Sequence, residues 1–184
     1  MSNSPGADPD DANRMDSARF ADITAQCFIN APFDQLRDDL LPLFLAHGLR
    51  PEIGLEGDCL WNDDTAAFQA VAARLRESGL ACTLHAPFND LAPGAVDPRI
   101  REITREKLRR AFALAEIFQP RAIICHLGYE EHKHSYKFKE WLGHSLDTWN
   151  ELLDLAEKTG TPVMLENTYE TSPEIHRILF SELA

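Results

Sequence analysis

The sequence predicts an α/β fold of the (β/α)-barrel type that is incomplete, with about five βα units of the usual eight. Short apolar runs alternate with longer amphipathic stretches along the chain. The apolar runs lack strict alternation, which is typical of parallel strands covered on both faces. An open doubly wound sheet also fits five such units, but Asn30-Ala31-Pro32-Phe33 follows the first strand instead of a Gly-rich phosphate turn.

Each apolar run has about the length of a buried strand. The predicted strands are CFINA (27–31), PEIGLE (51–56), LACTLHA (80–86), RAIICHL (121–127) and PVMLEN (162–167). Glycine precedes three of them, in His47-Gly48, Ser78-Gly79 and Thr159-Gly160, where a left-handed residue can end a helix and turn the chain back.

Between the strands, apolar residues recur at helical spacing behind residues that cap helices. Two helices are predicted without a cap: one over Leu36–Ala46 and one with Leu146, Trp149, Leu153 and Ala156 on its apolar face. Two more begin after an aspartate cap: the helix after Asp63/Asp64 carries Phe68, Val71 and Leu75, and the helix after Asp97-Pro98 carries Ile103, Phe112, Ala115 and Phe118. The last begins at Ser172-Pro173 and carries Ile175, Ile178 and Leu179. Right-handed crossovers through these helices would curl the sheet in one direction.

Residues 1–19 are rich in Pro, Gly, Asp, Asn and Ser, which predicts a disordered leader before a barrel domain over 20–184. This leader has neither the basic start nor the apolar core of a signal peptide, and no run approaches the length of a membrane helix. The four cysteines form no CxxC pair and are interpreted as buried core thiols. We therefore expect a cytoplasmic protein.

The formal net charge is −12 at pH 7. Non-specific nucleic-acid binding depends on Lys and Arg that neutralise phosphates, so this balance argues against a long nucleic acid as partner. A small-molecule substrate is the expected ligand.

Three predicted strands end on residues that bind metals or transfer protons. His85 ends strand three, His126 ends strand four and Glu166 ends strand five. The carboxyl ends of neighbouring parallel strands lie side by side, about 5 Å apart, so the three side chains are expected to converge. Imidazole and carboxylate together suit zinc, manganese, iron or cobalt.

The segments TLHAPF, CHLG and LENT, in this order, resemble the xylose-isomerase-like TIM barrels over about residues 25–184. This superfamily includes sugar-phosphate isomerases and epimerases and endonuclease-IV-type AP endonucleases. The resemblance implies that His85, His126 and Glu166 hold a divalent metal (Zn, Mn or Mg), that Glu166 also moves protons in the isomerases, and that Asn167 lies beside the ligand. The family's ligands on strands six to eight have no counterpart here. The chain is therefore expected to be a truncated gene product, a fragment of a longer enzyme, or one half of an assembly in which a second copy or second chain completes the barrel.

Four further residues are weaker candidates. Glu56, at the end of strand two, is predicted to act in catalysis, by binding substrate hydroxyls or metal-bound water, and Asn30 in substrate binding. His132 and His134, in a basic loop after strand four, could reach a phosphate at the mouth of the pocket. Each of the four could instead have a purely structural role or simply be exposed to solvent.

Three functions follow from these observations. The first choice is a divalent-metal isomerase or epimerase that acts on a sugar or sugar phosphate. The second is a metal-dependent phosphodiesterase, either AP-endonuclease-like or one that cleaves the nucleotide loop of a cobamide. The third is a non-catalytic, truncated barrel.

Overall fold

A computed structural model describes residues 22–183, so the predicted leader over residues 1–19 lies outside the described residues. Five parallel strands form one sheet in consecutive order, which confirms the α/β fold of an incomplete TIM barrel. The strands are β1 (Ile29–Pro32), β2 (Pro51–Gly54), β3 (Thr83–His85), β4 (Ile123–His126) and β5 (Val163–Glu166).

Helices connect the strands and cover the sheet. Those that follow β1 are α1 (Phe33–Gln35), α2 (Leu41–His47), α3 (Cys59–Asn62), α4 (Thr65–Glu77), α5 (Pro98–Ala113), α6 (Ala115–Phe118), α7 (Glu131–His134), α8 (Phe138–Thr159) and α9 (Glu174–Glu182). None of the helices in the described part of the chain has the length and hydropathy needed to cross a membrane.

Two of the three predicted caps form, whereas α9 has Pro173 at its N-cap position and no side-chain cap hydrogen bond. The side chain of Asp64 accepts a hydrogen bond from the Ala67 backbone N–H, and that of Asp97 accepts from Arg99 and Ile100. The glycines of the three helix-to-strand joints have φ between +63° and +68°. The first predicted helix differs: helical structure begins at Phe33, and a π-helical stretch (Leu36–Leu40) separates α1 from α2.

The core lies between the sheet and its helices. Ile53, Leu84 and Ile123, on the three central strands, are fully buried, as are Trp141 and Trp149 of α8. Burying large apolar side chains is the main favourable contribution to folding, so the central strands are the most firmly held part of the sheet.

One cysteine prediction is wrong. Cys59, Cys82 and Cys125 are buried, and burial raises the pKa of Cys59 and Cys82 to about 12. Cys27 is exposed, because β1 begins at Ile29 and leaves Cys27 in the segment before the strand.

Candidate metal centre

His85, His126 and Glu166 meet at one edge of the sheet, each as the last residue of its strand. The Nε2 atoms of the two histidines are 3.2 Å apart. Glu166 Oε2 lies 3.6 Å from His85 Nε2 and 3.8 Å from His126 Nε2. Strand register explains the meeting, since His126 pairs with Glu166 and His85 with Ile124.

The backbone fixes His85 from both neighbouring strands. Its carbonyl accepts a hydrogen bond from Leu55 N–H at 3.0 Å, and the following residue, Ala86, donates to the Ile124 carbonyl at 2.8 Å. The ring Nδ1 lies 3.0 Å from the Ala86 carbonyl. A carbonyl oxygen can only accept, so Nδ1 carries the hydrogen and Nε2 has a free electron pair.

His126 has the same tautomer for a similar reason. Its Nδ1 lies 3.0 Å from the backbone carbonyl of Glu166 and also contacts Thr168 Oγ1. The Nδ1–H therefore donates, and Nε2 is again unprotonated in the neutral ring. Burial, followed by the nearby His85 ring, lowers the pKa of His126, which favours the neutral form that binds metals.

Three hydrogen-bond acceptors thus converge without a donor among them. The circle through the three atoms has a radius of about 2.1 Å, which is the length of a Zn–N or Zn–O bond. A cation at this point would replace the repulsion between the electron pairs with three favourable contacts. The donor chemistry and the spacing therefore fit one divalent ion.

The two kinds of ligand differ in exposure. The His126 side chain is 8% exposed and that of Glu166 is 57% exposed. A metal held by these residues would have two buried ligands on one side and solvent on the other. Catalytic metal sites leave a position open for water or substrate in this way.

Phe88 forms the apolar wall of the centre. Its ring centroid lies 4.2 Å from that of His126 and 5.6 Å from that of His85. Glu56 holds this residue in place, because its Oε1 accepts the Phe88 backbone N–H at 2.7 Å. Glu56 thus lies at the same rim as the trio and has a structural contact there.

A cavity of about 340 Å³ opens beside His126. Phe88, Glu130, Lys133 and His134 are among the residues that line it. The Glu130 backbone N–H donates to His134 Nδ1 at 2.9 Å, so the neutral His134 ring carries its hydrogen on Nε2. Burial lowers the pKa of His134, and Lys133 pairs with the Glu130 carboxylate.

The other three predicted residues are exposed. His132 is exposed, 3.6 Å from Glu130 Oε2, and lines a second cavity. Asn167 is exposed and lines a groove with His176 and Phe180 of α9. Asn30 is exposed on β1.

The sequence interpretation missed Thr168, which contacts His126, and Glu170. The Glu170 carboxylate accepts the backbone N–H groups of Thr168, at 2.9 Å, and of Tyr169, at 3.1 Å. The available signal was the position of Thr168 two residues after the proposed ligand Glu166. Among residues 22–183, His85, His126 and Glu166 are the only group of three or more His, Cys, Asp or Glu residues that could hold a metal.

Comparison with known proteins agrees with the fold. Residues 52–182, more than half of the chain, match a family model described as xylose isomerase-like TIM barrel. An uncharacterized protein of Methanocaldococcus jannaschii is 33% identical over 84 residues, which are 46% of this chain and 29% of that protein.

Two solved structures are similar in fold. A D-tagatose 3-epimerase-like protein has a TM-score of 0.70 and 23% identity over 85% of this chain. A protein from Thermus thermophilus, soaked with ZnCl2, has a TM-score of 0.69 and 23% identity over 84% of this chain. The chain spans 61% of the length of each of these two proteins.

Proposed function

Because the chain belongs to the xylose isomerase-like TIM barrel family, we propose that it contributes to a zinc-dependent enzyme that hydrolyses a phosphodiester in a small molecule. The observation that carries this proposal is the donor set of the trio. Two imidazoles and one carboxylate, with an open side, are a ligand pattern of hydrolytic zinc sites. Magnesium and manganese sites are richer in oxygen ligands. The solved Thermus thermophilus relative was soaked with ZnCl2.

When bound, such a cation would supply Lewis acidity: it would polarise a carbonyl or phosphoryl oxygen and lower the pKa of a coordinated water. His85 and His126 would hold it with their Nε2 atoms, and Glu166 with Oε2. The carboxylate neutralises one of the two positive charges and leaves one. A singly charged phosphodiester matches this remaining charge.

The cavity beside His126 supports an anionic substrate. His134 offers an Nε2–H donor, and the Lys133 ammonium, which is paired with Glu130, also lines the cavity. Both groups can donate to the non-bridging oxygens of a phosphodiester while Phe88 excludes water from the buried side. His134 would thus bind substrate, as the sequence predicted.

A second candidate function is epimerisation of a sugar or sugar phosphate. Glu56 supports it, because the Phe88 N–H occupies Oε1 and leaves Oε2 to carry a proton at the rim of the site. The similarity to a D-tagatose 3-epimerase-like protein also supports it.

The first experiment tests metal binding. Purified protein should bind one zinc ion per chain in titration against a chelating dye, and Glu166→Gln should lose this binding with an unchanged circular dichroism spectrum. Glu157→Gln, on the exposed face of α8, is the matched control. Zinc binding that survives in Glu166→Gln would contradict the ligand assignment.

Activity then separates the two reactions. Zinc-dependent hydrolysis of bis(p-nitrophenyl) phosphate, lost in Glu166→Gln, would support the phosphodiesterase. Deuterium incorporation from D2O into D-tagatose, lost in Glu56→Gln, would support the epimerase and contradict the first proposal. If the chain alone is inactive and activity appears only after a second chain is added, the result would support a partial barrel that is non-catalytic until a partner completes it.

The compartment and the partner remain proposals as well. All four cysteines are free thiols, which supports a reducing, cytoplasmic environment. A second copy or another chain beside β5 is proposed to supply the strands of a complete barrel.

A further inference from the structure

Thr168 contacts the nitrogen of His126 that is not proposed to bind the metal. Its hydroxyl contacts Nδ1, whereas Nε2 faces His85 and Glu166. The Glu166 carbonyl contacts the same nitrogen at 3.0 Å. A single ring hydrogen is therefore shared between two oxygen acceptors.

The identity of the donor follows from the pair. The Glu166 carbonyl cannot donate, so the hydrogen belongs to Nδ1 and the Thr168 oxygen also accepts it. The carbonyl contact favours the tautomer in which Nε2 keeps its electron pair. The hydroxyl, which can donate or accept, adds a second contact that holds the ring in this position. Partners of this kind orient the histidines of metal sites and raise their basicity.

Glu170 fixes Thr168 in turn. Its carboxylate accepts the N–H groups of Thr168 and Tyr169 and closes the turn that follows β5. The hydroxyl of Thr168 is thereby directed by a hydrogen-bonded turn.

We propose that Thr168 is a positioning residue that sets the orientation of the His126 ring, and that Glu170 holds Thr168 in place. The inference rests on the proposed metal-binding role of His126. It concerns the ring of this chain, however, so it can be tested without the reaction and without the metal.

The first readout is the His126 ring in the metal-free protein. Two-bond ¹H–¹⁵N correlation spectra, in mildly alkaline buffer, should show the Nδ1–H tautomer in the wild type, since the Glu166 carbonyl can only accept. Thr168→Val should keep this tautomer but shift the ring ¹⁵N resonances of His126, because the hydroxyl contact at Nδ1 is lost. Thr168→Ser should restore the wild-type spectrum because it keeps the hydroxyl.

The second readout is zinc affinity by competition with a chelating dye. Thr168→Val should weaken zinc binding about 10- to 100-fold, the range seen when such partners are removed. Thr168→Ser should stay within about threefold of the wild type, since a hydroxyl acceptor is retained. Glu170→Ala should fall between them. Thr171→Val, at an exposed threonine three residues further along, is the matched control.

An unchanged His126 ring spectrum in Thr168→Val would overturn the inference, whatever happens to zinc affinity. Equal losses in Thr168→Val and Thr168→Ser would also overturn it, because they would indicate packing of the methyl group. If the His126 ring spectrum changes as expected but the wild type hydrolyses no phosphodiester, the positioning role stands and the proposed reaction fails.

Discussion

Strands β4 and β5 pair residue for residue, yet they differ in their surroundings. Ile123 and Cys125 of β4 are almost completely buried, and β4 has a neighbouring strand on each side. β5 alternates between half-buried and exposed residues, with Met164 56% exposed, and within the described residues it is an edge strand. Both strands nevertheless end on a proposed ligand.

The difference shows two ways to position a ligand. The His126 ring is held by burial, by Phe88 and by hydrogen bonds at Nδ1. The Glu166 carboxylate depends on the register of an edge strand and has freedom to adjust. We therefore expect rigid imidazoles and an adaptable carboxylate, and the following predictions test this contrast.

The largest difference should be in stability. Ile123→Ala should lower the free energy of unfolding by about 2–5 kcal/mol, because it leaves a cavity in the core. Met164→Ala, on the neighbouring strand, should change it by no more than about 0.5 kcal/mol, since the side chain is mostly exposed. Urea denaturation measures both, and equal losses would contradict the contrast.

Substitutions of the two proposed ligands should affect metal binding alike but the stability of the metal-free protein differently. His126→Ala and Glu166→Gln should each weaken zinc binding by more than about 100-fold, a larger loss than removal of a supporting hydrogen bond causes. Only His126→Ala should also destabilise the metal-free protein, by about 1–2 kcal/mol, since it removes a ring packed on Phe88. A destabilised Glu166→Gln variant would indicate that the carboxylate is structural.

Two glycines beside these strands give a smaller contrast. Gly128, after β4, and Gly160, before β5, both have φ in the left-handed region. An added Cβ at Gly128 would lie 2.9 Å from Pro93 Cδ, whereas none of the described atoms lies within 4 Å of one at Gly160. Gly160→Ala should cost about 1 kcal/mol in unfolding free energy for the backbone alone. Gly128→Ala should cost about 1 kcal/mol more, since the proline ring must shift.

The smallest effect concerns pH. Burial lowers the pKa of His134 below the 6.5 of an unfolded chain, so the unfolded state binds more protons as the pH falls through 6.5. This contribution to stability is present above pH 6.5 and is lost below it. His134→Gln should reduce the loss of stability of metal-free protein in acid denaturation series. His132→Gln, at a side chain 73% exposed, is the matched control and should keep it.

The fold was largely accessible from the sequence. Apolar runs predicted all five strands within a few residues, because buried parallel strands need continuous hydrophobicity. The exposure of Cys27 was not accessible, since its apolar neighbours resemble a strand that in fact begins at Ile29. The π-helical stretch was also missed, because its residues fit the ordinary helical period over so short a distance.

The site was accessible only in part. That His85, His126 and Glu166 would meet follows from strand order, and the structure brings their ligand atoms within 3.8 Å. The supporting contacts depend on the path of the loops. Thr168 reaches His126 through a turn closed by Glu170, and Phe88 reaches it through a loop held by Glu56, so neither contact has a periodic signal.

The consecutive order of the strands has a kinetic consequence. Each strand pairs with the one that precedes it along the chain, so sheet formation closes only the loop of one βα unit at a time. Each of these loops nevertheless contains a whole helix, as between Leu84 and Ile123, and parallel pairing over such a separation is slow because chain entropy is lost before the contacts form. During synthesis on the ribosome the units can assemble in order of emergence, with the segment that carries Glu166 docking after those that carry His85 and His126.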